Sequence, residues 1–215
     1  NGNTTLGING LHKATVQKVN MDNNQRSNIG YLGRASYSYD DRYFFTGSYR
    51  RDGASVFGVN QKWGDFFAFG GAWRLSSEKF MSSISYLDDL KLKVSWGKNG
   101  NQGLDPYGTL STINNGASGG VRYEFGGSDI IYGLNQKALG NADLGWETTE
   151  SWNTGFESAW LGSRLFVDLD LYFSKTTDQI FTRDIPVMTG FKNMKSSMGQ
   201  VNNRGVELTI RSVNI

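Results

Sequence analysis

Two aspartates, Asp168 and Asp170, stand two residues apart in R-L-F-V-D-L-D-L-Y-F-S. On an extended chain they share one face about 7 Å apart, from a rise of about 3.3 Å per residue. That is loosely the separation at which a glycosidase holds its acid and its base. Such enzymes flank the bond from separate elements, so two acids on one strand read more simply as polar-face charges paired with neighbouring strands. Lys91, Lys93, Arg164, Glu207 and Arg211 are the charged neighbours available.

Other chemistry fares no better. His12 is the only histidine, so neither a histidine-rich metal site nor a Ser–His–Asp triad can be assembled, and it reads as a solvated loop residue. With no cysteine, thiolate metal sites and disulfide staples are excluded. The run K-N-G-N-Q-G at 98–103 lacks phosphate-loop spacing and the strand-to-helix setting that motif needs, so it reads as turn chemistry. The expectation is a protein without catalytic residues, metal or cofactor.

What the residues do specify is a pattern. Leu165, Val167, Leu169, Leu171 and Phe173 fall on one face of a strand while Asp168 and Asp170 fall on the other, because successive side chains point to opposite sides. Leu90, Leu92, Val94 and Trp96 repeat this against Lys91, Lys93 and Ser95, as do Val206, Leu208 and Ile210 against Glu207, Thr209 and Arg211. Aromatic versions run through Tyr31, Tyr37 and Tyr39 and through Tyr43, Phe45 and Tyr49, opposite Arg34, Ser36, Ser38, Thr46, Ser48 and Arg50. Each strand lies between two unlike surroundings, which predicts an antiparallel all-β architecture.

Composition narrows the choice. The 28 glycines, 13% aromatic residues and only 2 prolines suit long paired strands, since proline cannot donate to a ladder. A mean hydropathy of −0.46 resembles a soluble protein. A transmembrane β-barrel gives the same average, because lipid-facing apolar and lumen-facing polar residues alternate. A net charge of +2 is too mild to argue for nucleic acid.

Strands are predicted at roughly 28–39, 43–51, 65–74, 90–98, 146–160, 164–175 and 204–214. Asp40–Arg42 and Leu161–Ser163 are tight turns, whereas 52–64, 99–145 and 176–203 are long and rich in Gly, Asn and Ser. In an up-and-down meander that alternation puts short turns at one end and long loops at the other, as periplasmic turns and extracellular loops. The Leu75–Asp89 connection is longer than its end predicts, and S-S-E-K-F-M suits a helical turn there; V-R-Y-E-F suits a short hairpin arm. Only faint alternation around Thr15, Gln17 and Val19 precedes the first strand. An odd number of strands leaves two open edges, which lipid does not tolerate, so these residues read as an arc of a larger barrel.

Specific phrases then matter. Y-L-G-R-A-S-Y-S-Y-D-D-R-Y-F-F-T-G-S-Y-R-R-D-G-A-S-V-F-G, F-A-F-G-G-A-W-R-L-S-S-E-K-F-M and L-K-L-K-V-S-W-G-K-N-G-N-Q-G resemble the barrel of SusC/RagA-type TonB-dependent outer-membrane transporters. L-G-W-E-T-T-E-S-W-N-T-G-F-E, D-L-D-L-Y-F-S-K-T-T-D-Q-I-F and M-G-Q-V-N-N-R-G-V-E-L are similar to the strands that follow, in the same order across about 28–214. The resemblance implies a barrel of about 22 strands in a Gram-negative outer membrane, importing oligosaccharides or peptides with energy delivered through TonB. It also implies a plug domain, a SusD-like surface lipoprotein as lid, and transporter–lipoprotein pairs that can dimerise. Neither a plug nor a TonB box is recognisable within these 215 residues.

Within that reading Lys91, Lys93, Asp168, Asp170, Glu207 and Arg211 face the lumen. Tyr37, Tyr39, Tyr43, Trp73, Trp96, Trp152 and Trp160, near strand ends, form membrane girdles with outer-membrane lipid. Trp63, Asn99, Asn101, Gln102, Tyr107, Tyr123 and Tyr132, loop aromatics and amides, are the candidate substrate contacts. Two rivals are a soluble β-sandwich that binds glycans, which needs its apolar faces buried against a second sheet, and a small outer-membrane barrel hydrolase. The second needs a nucleophile–base pair at the rim, and none is found.

Overall fold

A computed structural model describes residues 23–114, 122–123 and 131–214. In chain order the strands are β1 (Asn28–Tyr39), β2 (Tyr43–Ala54), β3 (Trp63–Arg74), β4 (Leu87–Asn101), β5 (Thr112–Asn114), β6 (Arg122–Tyr123), β7 (Ile131–Tyr132), β8 (Asn135–Ala138), β9 (Glu147–Trp160), β10 (Leu165–Asp184) and β11 (Asn193–Ser212). Seven of them form one antiparallel sheet in the order β1-β2-β3-β4-β9-β10-β11, while β5–β8 and β6–β7 are two small pairs in the excursion between β4 and β9. The sheet is unclosed: β1 and β11 each pair on one side only. Thr15, Gln17 and Val19 lie outside the described residues.

Tight turns hold the neighbours in register. Asp40 and Asp41 both adopt positive φ, and the Arg42 N–H donates to the Tyr39 carbonyl at 3.0 Å. Aspartate tolerates this left-handed region better than most residues. At the β9–β10 turn Leu161, Gly162 and Ser163 are all left-handed. The Ser163 N–H donates to Asp88 and the Leu161 N–H to the Tyr86 carbonyl, tying that turn to the β3–β4 connection.

That connection explains its own length. Instead of one helical turn it contains two single 3-10 turns, Leu75–Ser77 and Lys79–Met81. It spans a step in the sheet: β3 ends at Arg74, level with Lys91, whereas β4, β9 and β10 run on to Leu87, Trp160 and Leu165. Staggered strand ends are what a sheet needs in order to curl toward closure. Within the connection Glu78 accepts from the Tyr43 hydroxyl at 2.7 Å and the Trp73 indole N–H at 3.1 Å, and lies 3.6 Å from the Arg42 guanidinium. These hydrogen bonds, with the Arg42 charge behind them, hold its carboxyl below the usual glutamate range against the opposing effect of burial.

The main hydrophobic cluster lies at the loop end of the sheet. Ala54 at the end of β2 and Val56 and Phe57 of the β2–β3 loop meet Leu104 after β4 and Leu144 before β9, with Trp146 and Ile180 packed against them. Phe57 and Leu144 are fully buried. Close backbone approach holds this cap together. The Gly58 N–H donates to the Leu144 carbonyl at 3.2 Å, and a Cβ on Gly58 would run into the Ala142 carbonyl.

Beyond Thr177, β10 has no partner on β9 and pairs with β11 alone, forming an arm over residues 178–199. A bulge with Asp178 at φ 59° marks where the arm leaves the wall, the usual way a strand is re-aimed. The arm is tied to the loop cap: Asn141 donates to the Lys195 carbonyl, and Lys195 lies 3.8 Å from Asp105. The 176–203 segment, expected as loop, is thus mostly strand, closing through Ile185–Lys192. One flank of the arm packs on the loop cap through Ile180 and Lys195 while its tip stays exposed, so no sustained alternation of polar and apolar residues announces it.

Two outcomes test this architecture. Leu144→Ala should cost about 2–5 kcal/mol, read as faster amide exchange in residues 55–62, 102–111 and 139–146, with the β1–β4 ladder unchanged. For Glu78, a depressed folded pKa contributes stability in full above the pKa of the unfolded chain and none below the folded value. Wild type should therefore exceed Glu78→Gln in Tm at neutral pH, with the gap closing as pH falls through and below the ordinary glutamate range; a pH-independent gap would contradict this.

Candidate functional site

Register turns the alternation of single strands into two continuous surfaces. Directly opposed residues share a face, so one row of the sheet reads Phe69, Trp96, Trp152 and Phe173 across β3, β4, β9 and β10. Below it lie Phe45, Val94 and Leu171, then Tyr43, Trp73, Leu92, Phe156, Leu169 and Leu208. Above it Lys98, Glu150 and Lys175 form a charged row. The Trp96 indole donates to Glu150 at 2.7 Å, joining the aromatic row to the charged one.

On this apolar face aromatic rings gather toward both ends. Tyr43 stacks on Trp73 at 6.2 Å, and Tyr86 stacks on Trp160 at 5.9 Å, at the turn end. At the loop end Phe69 stacks on Trp96 at 5.9 Å, Trp96 lies 6.1 Å from Trp152, and Tyr49 packs on Phe67 at 4.9 Å. Tyr37 and Tyr39 occupy the same face on β1. From Leu165 to Phe173 the apolar run of β10 covers roughly 26 Å along the strand, or about 20 Å at a tilt of about 40°. Large side chains such as Phe45, Phe69, Trp152, Val206 and Leu208 remain exposed, with no second sheet over them among the described residues.

The opposite face is polar. Lys93 Nζ donates to Asp170 at 2.9 Å and to Glu157 at 3.1 Å, and Lys91 lies 3.7 Å from Glu157, so the lysines of β4 bridge the acids of β9 and β10. Glu157 completes this cluster, although its strand shows only weak alternation. Asp168 sits opposite Glu157 and Thr209, and Asp170 opposite Glu207; neither Asp168 nor Glu207 forms an ion pair among the described residues. The Arg211 guanidinium lies 4.4 Å over the Phe166 ring, while Arg164 sits in the β9–β10 turn.

Toward the loop end this polar face opens into a cavity of about 630 Å³ lined by Arg26, Arg34, Arg50, Asp52, Asn99, Asn101 and Gln102. A neighbouring hollow of about 290 Å³ continues from Arg34 and Asn99 over Ser48, Ala68, Gly70, Ser95, Gly97 and Asn153. Arg50 is paired with Asp52 at 2.7 Å, and Arg26 donates to the Gln102 side chain. Phe66 walls the first cavity, lying over Gly100 where a Cβ would strike its ring, and packs edge-on against Trp146 at 5.4 Å. A separate cavity of about 630 Å³ lies under the loop cap, lined by Val56, Phe57, Lys62, Tyr107 and Leu110.

The predicted substrate contacts therefore divide. Asn99, Asn101 and Gln102 come together in the arginine-lined cavity, and Tyr107 lines the other one. Trp63 stands on the apolar face, stacked on Tyr31 at 6.4 Å with the Arg51 guanidinium 5.4 Å from its ring. Tyr123 and Tyr132 belong to the β6–β7 pair, whose side chains lie outside the description. The three arginines were missed as a group. Arg34 and Arg50 were visible as polar-phase residues, but only the pairing of Arg34 with Ser48 and of Ser48 with Ala68 sets them beside the amides of β4.

Comparison with known proteins follows this geometry closely. The family described as TonB dependent receptor-like, beta-barrel matches residues 1–213. TonB-dependent receptor P39 of Formosa agariphila is 34% identical over 94% of the chain, and TonB-dependent receptor SusC of Bacteroides thetaiotaomicron is 33% identical over 94%. The chain spans 19% and 20% of those relatives, about a fifth of their length. Among solved structures, the RagAB peptide importer in its closed-closed state superposes with a TM-score of 0.75 at 27% identity, over 86% of this chain and 19% of that one.

Proposed function

This chain belongs to the TonB-dependent receptor-like β-barrel family, and we propose that it forms wall and extracellular mouth of a SusC-like transporter in a Gram-negative outer membrane. The observation that carries the reading is the register-matched separation of the two faces. An apolar surface bounded by aromatic rows, with no second sheet over it among the described residues, fits a membrane and not a sandwich core. In this reading the apolar face meets lipid, and Tyr37, Tyr39, Tyr43, Trp73, Trp96, Trp152 and Trp160 lie at its interfaces. Trp63 joins them at the loop end, because it shares their face. Lys91, Lys93, Asp168, Asp170, Glu207 and Arg211 line the lumen.

The cargo is a short oligosaccharide or peptide, drawn through the lumen with energy coupled through TonB and captured under a SusD-like lipoprotein. The name of SusC and the description of RagAB as a peptide importer support the class without choosing between the two cargoes. The loop cap built on Phe57 and Leu144 offers a rigid rim on which such a lid can rest. No covalent chemistry is assigned: Glu157 and Asp170 are tied to Lys93 and Asp52 to Arg50.

Spin labels placed at Leu169 and at Asp168 of the full-length protein in its membrane test the orientation. The Leu169 label should be relaxed by oxygen and the Asp168 label by a water-soluble nickel complex, and equal nickel access at both would overturn it. Leu169→Arg should cost about 2–4 kcal/mol of barrel stability, read by urea titration in lipid vesicles.

A further inference from the structure

The cavity at the loop end of the polar face has a charge that the transport reading does not require. Three arginines, Arg26, Arg34 and Arg50, line it, and the single carboxylate beside them, Asp52, is already engaged by Arg50. Arg34 makes no hydrogen bond or ion pair among the described residues. It stands where the two hollows meet, since it lines both.

The floor beside Arg34 is built low. Across the sheet from it come Ser48, Ala68 and Gly97 in one register row, and Gly70 and Ser95 in the next. A bulkier side chain in that row would meet its neighbour, as a Cβ on Gly97 would lie 3.3 Å from that of Ala68. The result is a shallow trough leading from an unpaired guanidinium past the Asn99 amide. Guanidinium groups bind carboxylates and sulfates through paired, parallel N–H donors, and amides beside them suit the hydroxyls or peptide groups of a flexible oligomer.

We propose that this trough is a binding site for an anionic oligomer, with Arg34 engaging a carboxylate or sulfate group and Arg26 and Arg50 supplying the surrounding positive field. The inference rests on the transporter reading and specifies the chemical class of its cargo. Both acidic oligosaccharides and acidic peptides carry the required group, and the test separates them.

Calorimetry on the intact transporter in detergent compares two matched pairs: a galacturonate tetramer with its fully methyl-esterified form, and a Glu-containing pentapeptide with its Gln counterpart. At least one acidic probe should bind more tightly than its neutral mate, and the pair that responds identifies sugar or peptide. Arg34→Gln should lower the acidic-to-neutral affinity ratio about tenfold, whereas Arg51→Gln, an equal charge change on the opposite face, should leave that ratio as it was. If Arg34→Gln does not assemble, added salt should weaken the acidic probe of wild type more steeply than the neutral one.

Equal affinities within both pairs, or a ratio unmoved by Arg34→Gln, would overturn the inference. So would a ratio moved equally by Arg51→Gln, or equal salt dependence for the acidic and neutral probes. A shift in stability without a shift in ratio would assign Arg34 to a carboxylate elsewhere in the protein, and would equally overturn it. TonB-dependent uptake and outer-membrane fractionation are measured alongside: if they persist while the ratio does not respond, only the anionic site has failed, and their loss would bring down the transporter reading itself.

Discussion

A strand that meets hydrocarbon on one side has no water there to satisfy its peptide groups, so the interstrand ladder must take them all. In the transporter reading, everything else in this protein depends on that constraint. It is why seven long strands run antiparallel without interruption from β1 to β11, why the two prolines stand outside the strands, and why the turns at Asp40–Asp41 and Leu161–Ser163 accept left-handed backbone to bring neighbours into register. Once the ladder is fixed, side-chain chemistry follows from parity alone. Shifting β10 by a single residue would place Asp168 and Asp170 on the apolar face.

The consequence is a protein whose packing is displaced from its sheet. An ordinary domain buries one face of a sheet against another layer, whereas here the described cluster of Ala54, Val56, Phe57, Leu104 and Leu144 sits at and beyond the loop ends of the strands. The wall is held by hydrogen bonds and by its surroundings, and the mouth is held by hydrophobic burial. These are different forces with different sensitivities, so the two parts can vary independently. In the transporter reading, that separation suits a pore whose barrel stays constant while its opening is fitted to different cargo.

The wall was legible in the sequence because two unlike solvents write a period of two into β4, β10 and β11, and the aromatic strands β1 and β2 carry the same phase. The arm over residues 178–199 was not legible, because it leans on the loop cap through a few residues such as Ile180 and Lys195 and has no continuous apolar face to make polar and apolar residues alternate. The loop core was hidden for a related reason: Val56–Phe57 and Leu144 are short apolar stretches without a period, far apart in the chain, and nothing local says they meet. Lys93 and Asp170 were expected to find opposite charges, but Glu157 as the acid between the two lysines emerges only from the β4–β9 register. The same holds for the trough beside Arg34, whose lining is drawn from five strands and whose shape no single strand records.

The long hairpin of β10 and β11 joins wall and mouth. Its 20-residue strands are continuous from the turn end of the wall to a tip where Val187 and Met188 are 82% and 93% exposed. The ladder between them is broken only by the kink at Asp178, and Lys195 and Asn141 brace the upper part sideways against the cap. The ladder thus bends at the bulge without ending there, and the exposed tip and the strand segments that bear Asp168, Asp170 and Glu207 belong to one continuous hairpin.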